Sequence, residues 1–208
     1  MINFKAIFVR YPKLFNGGIY RIKTSSKQLF LTFDDGPTPG VTEKVLELLK
    51  KYDAKAVFFC KGEKAVKQPD IIENILQDEH ALGNHSYSHY NAFKVPVKAW
   101  LKDVLRHSPV SDAEFFRPPY GKITPCQFKL LKKRFNIVFW DVLTYDYRQD
   151  LTVEDIVKII YKNVRNGSVI VFHDTEKAAP RMLPALENCL KYYSDSGYSF
   201  YKLQSLRI

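Results

Sequence analysis

The sequence predicts a parallel α/β domain. From about residue 28 to residue 203, short apolar runs rich in β-branched and aromatic residues alternate with segments of helical periodicity. Residues able to bind metal or move protons gather directly after those runs. No repeat, low-complexity tract or Pro/Gly/Ser linker interrupts the 208 residues, so a single core is expected.

The elements follow in order. QLFLTF (28–33) reads as a buried strand. Val45, Leu48, Leu49 and Tyr52 then recur at helical spacing. AVFFC (56–60) is the second strand, and Pro69 opens a helix with Ile71, Ile72, Ile75 and Leu76 on one face. HALGN (80–84) is a short third strand, and Pro96 precedes a helix carrying Val97, Leu101, Val104 and Leu105. EFFR (114–117) is the fourth strand, 124–135 a helix and IVFW (137–140) the fifth strand. Thr152 and Asp155 form a capping box for a helix through Val164. SVIVFH (168–173), a helix over 181–193 and the strand SFYKL (199–203) complete the set. Seven strands separated by helices fit either an open sheet or a barrel closed by the first and last strands. Residues 1–27 are expected to form an arm packed on a domain over 28–208.

Composition narrows the function classes. The chain is 46% hydrophobic and 26% charged, with no apolar run near the roughly 18 residues that span a bilayer. The start, MINFKAIFVRYPKLF, breaks its apolar pieces with Lys5, Arg10 and Lys13 and shows no obvious cleavage site. A cytoplasmic protein, or one peripheral at the inner membrane surface, is therefore expected, and a monomer. The net charge of +10 suits anionic membranes or glycans, but no nucleic-acid motif accompanies it, so nucleic acid is excluded as a partner. Cys60, Cys126 and Cys189 are far apart and odd in number, which excludes a disulfide framework and predicts buried thiols.

The polar residues carry the functional argument. Asp34 and Asp35 follow the first strand, His85 and His89 the third, and Arg117 within RPPYG the fourth. Asp146 lies after the fifth, and His173 and Asp174 end the sixth. Carboxyl ends of parallel strands open on one face, where sites in such folds are built. Taken singly, Asp-Asp-Gly-Pro reads as a turn, His-x-x-x-His as two surface histidines and His173 as a core histidine. Together they suit a divalent metal: two imidazoles and one carboxylate leave coordination open, as in catalytic zinc sites. His85 and His89 share a face if their segment makes a helical turn. Zinc is the first candidate, with cobalt, nickel or manganese as alternatives.

TFDDGP (32–37), HSYSH (85–89), RPPYG (117–121), Asp146-Tyr147 and IVFHD (170–174) resemble, in this order, the motifs of the polysaccharide deacetylase (NodB-homology) family, carbohydrate esterase family 4. The resemblance spans roughly 28–203. It implies a distorted (β/α)7 barrel and metal-dependent removal of acetyl groups from sugars. It implies that Asp35, His85 and His89 hold the metal and that Asp34 is the general base for the attacking water. Arg117 positions that base, Asp146 tunes the acid His173, and the Tyr120 backbone N–H serves the oxyanion. Tyr147, Leu143 and Pro118 fall on the substrate side. Leu143 and Tyr147 depart from the aspartate and tryptophan common there, and Ser86 from a common threonine. The implied activity is N-deacetylation of an N-acetylhexosamine glycan or glycolipid: peptidoglycan, a chitin-like oligomer or a lipid-linked sugar. An O-acetyl esterase on the same site and an inactive glycan-binding module are the alternatives.

Overall fold

The computed structural model describes residues 15–204. The first fourteen residues of the expected arm, which include most of MINFKAIFVRYPKLF, lie outside the described residues, as do the last four of the expected domain. Its strands and helices are β1 (Gln28–Asp34), α1 (Thr42–Lys51), β2 (Ala56–Cys60), α2 (Gly62–Lys67), α3 (Pro69–Gln77), β3 (Ala81–Asn84), α4 (Val97–Val104) and β4 (Phe115–Phe116). Then come α5 (Pro125–Leu131), β5 (Asn136–Ile137), β6 (Val142–Leu143), α6 (Val153–Asn163), β7 (Val169–His173), α7 (Ala179–Asp195) and β8 (Ser199–Phe200). All ladders between these strands are parallel, in the order β5-β4-β3-β2-β1-β7-β6, with β8 pairing β1.

Alternation along β1 separates two environments. Leu29, Leu31 and Phe33 pack with Val45 and Leu49 of α1, Ile156 and Ile160 of α6, and Met182 and Leu186 of α7. Fully burying one such aliphatic side chain contributes about 1.5–3 kcal/mol. Phe30 turns the other way, toward Val57, Phe59, Phe115 and Val169. Thr32 and Asp34 share that inward side by the same period, so the strand delivers a carboxylate where its helix-facing neighbours deliver core.

The parallel α/β architecture of a distorted barrel is as expected, and the structure differs from the expected elements in four details. The fifth strand is not one run over 137–140 but two short strands on opposite edges of the sheet, β5 and β6. Between them Val138 bridges Ile19 of the arm, with Ile19 N–H donating to Ile137 O (2.8 Å) and Phe139 N–H to Ile19 O (2.7 Å). The arm takes the hydrogen bonds that a continuous strand would give a neighbour, and apolar pattern does not name the neighbour. Second, β8 meets β1 only at Gln28–Ser199 and Leu29–Phe200. The barrel stays open between β5 and β6, where Ile19 and Arg21 of the arm lie against Val138 and Ser168. Third, α2 was not expected; six residues burying Gly62 and Ala65 are too short for a periodic signal. Fourth, Cys126 is exposed, whereas Cys60 and Cys189 are buried.

The capping box at Thr152 and Asp155 is present, and Thr124 with Gln127 forms a second. No helix among the described residues is long and apolar enough to cross a membrane.

Gly83 shows how tightly the sheet interior is packed near the strand ends. A Cβ there would stand 2.4 Å from Cδ1 of Phe59. Gly83→Ala is expected to lower stability by about 1–3 kcal/mol. A drop in the urea midpoint at unchanged slope checks this, and an unchanged midpoint refutes it.

Candidate metal centre and active site

Parallel register brings the chemistry together. Asp34 pairs with His173 across β1 and β7 and with Phe59 across β1 and β2. Asn84, one residue before His85, pairs with Cys60 and with Phe116, one residue before Arg117.

Asp34 closes β1 in an extended conformation, and Asp35 takes φ 75°, a left-handed conformation that aspartate tolerates better than most residues. The turn lets two adjacent carboxylates serve different partners. Asp34 Oδ1 accepts from Arg117 Nη1 at 2.6 Å. Asp35 Oδ1 lies 3.1 Å from His89 Nε2 and 3.9 Å from His85 Nε2. Gly36 must follow, because a Cβ there would lie 2.0 Å from Oδ2 of buried Asp174. That oxygen accepts from Thr42 Oγ1 (2.6 Å), and burial raises the Asp174 carboxyl to about 7.

Arg117 is fully buried, and every face of its guanidinium is used. Nη1 also donates to Thr32 Oγ1 (2.9 Å), Nη2 to Phe139 O (2.9 Å) and Nε to Val138 O (3.3 Å). The plane stacks on Phe59 at 4.1 Å. Burial lowers its pKa, and the Asp34 carboxylate opposes that shift.

The two histidines are not on a helical turn, the condition under which their spacing would place them on one face. A loop holds them, with Ser86 at φ 62° and His89 at φ 59°. Asn84 Oδ1 accepts Ser86 N–H (2.7 Å), Ser86 Oγ accepts His89 N–H (3.0 Å), and both carboxylate oxygens of Asp103 accept Ser88 N–H (3.1 Å each). These side-chain bonds replace the missing helical ones, so residue spacing alone does not give the local geometry.

His85 Nδ1 lies 2.8 Å from Arg117 O, and a carbonyl only accepts. Nδ1 therefore carries the proton, leaving the Nε2 lone pair for a ligand. Burial, then the neighbouring His85, lowers His89 to about 4, so its imidazole is neutral near pH 7. For Asp35, burial raises the pKa, but His85, His89, His173 and Lys61 outweigh it and the net shift is downward.

These residues fit a divalent cation. Ligand atoms from Asp35, His85 and His89 all lie within 4.8 Å of one another. Asp35 Oδ1 is buried without a hydrogen-bond partner among the described residues, the state of an acceptor aimed at a cation. Two imidazole nitrogens and one carboxylate oxygen suit zinc or a neighbouring transition metal.

Across the cavity His173 donates from Nδ1 to Asp146 Oδ1 (2.7 Å), while Asp146 Oδ2 accepts the His173 backbone N–H (2.7 Å). Asp146 is fully buried and serves His173 with both oxygens. Burial lowers the His173 pKa, but the charge and hydrogen bond of Asp146, with Asp34 and Asp35, outweigh it and raise it to about 9. Tyr147 stands edge-on to the imidazole at 4.8 Å.

Asp34, Asp35, His85, His89, Tyr120, Leu143, Tyr147 and His173 all line one cavity of about 540 Å³. Arg117 and Asp146 sit behind the wall and act through Asp34 and His173. Pro118 is not on the wall; it is buried, and its carbonyl accepts Gly121 N–H (2.9 Å), so it shapes the Tyr120 turn. Tyr120 has φ 60°, and its ring lies 4.5 Å from His89. The sequence reading missed Lys61, Trp140, Thr175 and Lys177 on the wall. All but Lys177 lie within two residues of an expected strand end, a signal that was available. Asp103 lies within α4 and carried no such signal.

A family model described as polysaccharide deacetylase matches residues 21–134. A peptidoglycan-N-acetylglucosamine deacetylase of Bacillus cereus is 34% identical over 187 residues, covering 86% of this chain and 68% of the relative. A second B. cereus protein of the same description is 30% identical over 199 residues, covering 90% and 91%. Among solved structures, the Bc1960 peptidoglycan N-acetylglucosamine deacetylase superposes with a TM-score of 0.83 at 31% identity over 93% of each chain.

The buried Asp34–Arg117 pair yields a stability test. Arg117→Met strands a buried carboxylate and is expected to cost about 3–5 kcal/mol. Adding Asp34→Asn should recover at least ~1 kcal/mol in a double-mutant cycle by urea denaturation, and strict additivity would count against the pairing.

Proposed function

The chain belongs to the polysaccharide deacetylase family, and on that premise we propose that it hydrolyses the N-acetyl groups of N-acetylglucosamine-containing glycans of the peptidoglycan kind. One observation carries this reading. A three-ligand cluster, a carboxylate anchored by a buried arginine and an imidazole anchored by a buried aspartate all meet in one cavity. Amide hydrolysis needs an activated water, a stabilised oxyanion and a proton for a poor leaving group, and each need has a candidate here.

Asp35, His85 and His89 would hold the cation, zinc being the first choice. When bound, a divalent cation supplies Lewis acidity toward the acetyl carbonyl and lowers the pKa of the attacking water. Asp34 keeps Oδ1 on Arg117 and offers Oδ2, which lies 3.9 Å from His85 Nε2, as the acceptor of the water's proton. Arg117 holds that carboxylate through Nη1, while its bonds to Thr32, Val138 and Phe139 fix the guanidinium itself. The Tyr120 backbone N–H is assigned to the developing oxyanion. His173, its Nδ1 occupied by Asp146, delivers a proton from Nε2 to the departing nitrogen. The C–O bond forms first and gives the tetrahedral oxyanion; the C–N bond then breaks as the nitrogen takes the proton from His173, releasing acetate and an amine. Leu143 and Tyr147 contact the sugar from the cavity wall. Every acid, base and ligand candidate is in place, which speaks against an inactive binding module, and the relatives at 30% identity or more are described as N-acetylglucosamine deacetylases, which speaks against the acetyl ester. The net charge of +10 supports work at an anionic polymer or membrane surface.

Zinc-loaded protein should release acetate from N-acetylglucosamine oligomers or peptidoglycan fragments. No release from any of them, while a known deacetylase succeeds in parallel, would end this reading. Asp34→Asn should retain the metal but lose about 10²-fold or more in kcat. Asp35→Ala should lose the metal by elemental analysis, and equal metal content in both variants would overturn the division of roles. His173 has a folded pKa above its ordinary value, so the imidazolium is fully formed at low pH and lost as pH rises through about 9. Activity should fall through that range, and Asp146→Asn should move the descending limb at least about one unit lower.

A further inference from the structure

We propose that this enzyme selects glycans bearing an anionic group, a carboxylate or a phosphate, beside the reacting sugar, and that Lys177 with Lys64 and Lys67 forms the subsite. The proposal rests on the deacetylase reading and names the substrate class of that site.

A second cavity, of about 380 Å³, adjoins the first, and Thr175 and Lys177 line both. Lys64 and Lys67 line the second cavity, and Lys61 lines the first near Asp35. Glu176 is the single acidic residue among those lining the second cavity. Lys64, Lys67 and Lys177 make no ion pair among the described residues, and Lys61 only reaches Glu63 at 3.7 Å. Lys64 Nζ instead donates to Thr38 Oγ1 at 2.9 Å, which holds a half-buried ammonium at the wall without neutralising it.

Two other cavities set their lysines among carboxylates. The cavity beside α1 and α7 sets Lys44 and Lys51 among Glu47 and Glu187, and Lys51 pairs Glu187 at 2.7 Å. The cavity between α1 and α3 sets Lys50 among Glu43, Glu47 and Asp78. Lys64, Lys67 and Lys177 stand on the wall that continues out of the catalytic cavity, where a bound substrate extends past its acetyl group. Burial, and then Lys61, lowers the Lys64 pKa, while Asp174, Asp35 and Glu176 oppose that shift, so an added anion would favour the charged form further. Lysine suits such a role as a point charge on a mobile stem, which accepts either anion.

The test compares kcat/KM of zinc-loaded protein on three substrates. One is a neutral N-acetylglucosamine tetramer. The second is a tetramer whose alternate sugars carry a lactyl-ether carboxylate, and the third is an N-acetylglucosamine phosphate ester. At least one charged substrate should exceed the neutral one by about tenfold at ~50 mM salt, with the advantage shrinking at ~0.5 M. Which arm wins identifies the source of the anion. Lys67→Gln/Lys177→Gln should cut the charged-to-neutral ratio at least ~5-fold, chiefly through KM. Lys44→Gln/Lys50→Gln removes the same charge far from the site and should leave the ratio unchanged. Equal rates on all three substrates, or equal effects of the two double variants, would overturn the proposal while leaving the deacetylase reading intact. Calorimetric binding to the zinc-loaded Asp34→Asn protein reads the subsite without turnover. If no substrate releases acetate, the deacetylase reading falls; a charged preference that Lys67→Gln/Lys177→Gln abolishes still upholds the subsite, and equal binding overturns it.

Discussion

The buried ion pair between Arg117 and Asp34 is the constraint on which the rest of the site depends. A guanidinium with no solvent exposure must find all its partners inside the protein. Those partners come from β1, through Thr32 and Asp34, and from the segment after β5, through Val138 and Phe139. The Arg117 carbonyl then sets the tautomer of His85. One residue thus spans the sheet interior, fixes the candidate base and orients one candidate metal ligand. Losing it would disturb all three together, because they share one buried charge.

The adjacency of Asp34 and Asp35 follows from the same constraint. Two carboxylates side by side repel unless each has its own counter-charge. Arg117 supplies one, and a cation held by Asp35, His85 and His89 would supply the other. The positive φ at Asp35 separates the two carboxylates in space, and Gly36 leaves room for Asp174 beneath the turn. His173 on the neighbouring strand is held in its charged form by Asp146, across the cavity from the two aspartates. Beyond them the cavity wall turns cationic through Lys61 and Lys177.

Much of this was legible in the chain. The runs over 28–33 and 168–173 became β1 and β7, because continuous apolar stretches are what doubly covered parallel strands require. The polar residues after each run identified the wall of the cavity, since parallel strands share one open end. What failed were positions without a local signal. The segment after residue 137 leaves one sheet edge and rejoins the sheet at the other, a choice made by Ile19 more than a hundred residues away. The histidine loop is held by Asn84, Ser86 and Asp103 rather than by helical bonds. Pro118 looked like part of the cleft because it adjoins Arg117, yet it is buried behind it.

By itself the sequence determined the fold class, the family and the set of polar residues able to carry the chemistry. Strand period and the position of a residue at a strand end are properties of the chain alone. Only the tertiary structure decided which carboxylate meets the arginine, which imidazole nitrogen is free, where the barrel stays open and which lysines remain without a partner. Each of those is settled by contacts between distant segments, and burial makes those contacts compulsory: a polar group without water must take the partner that the packing brings to it.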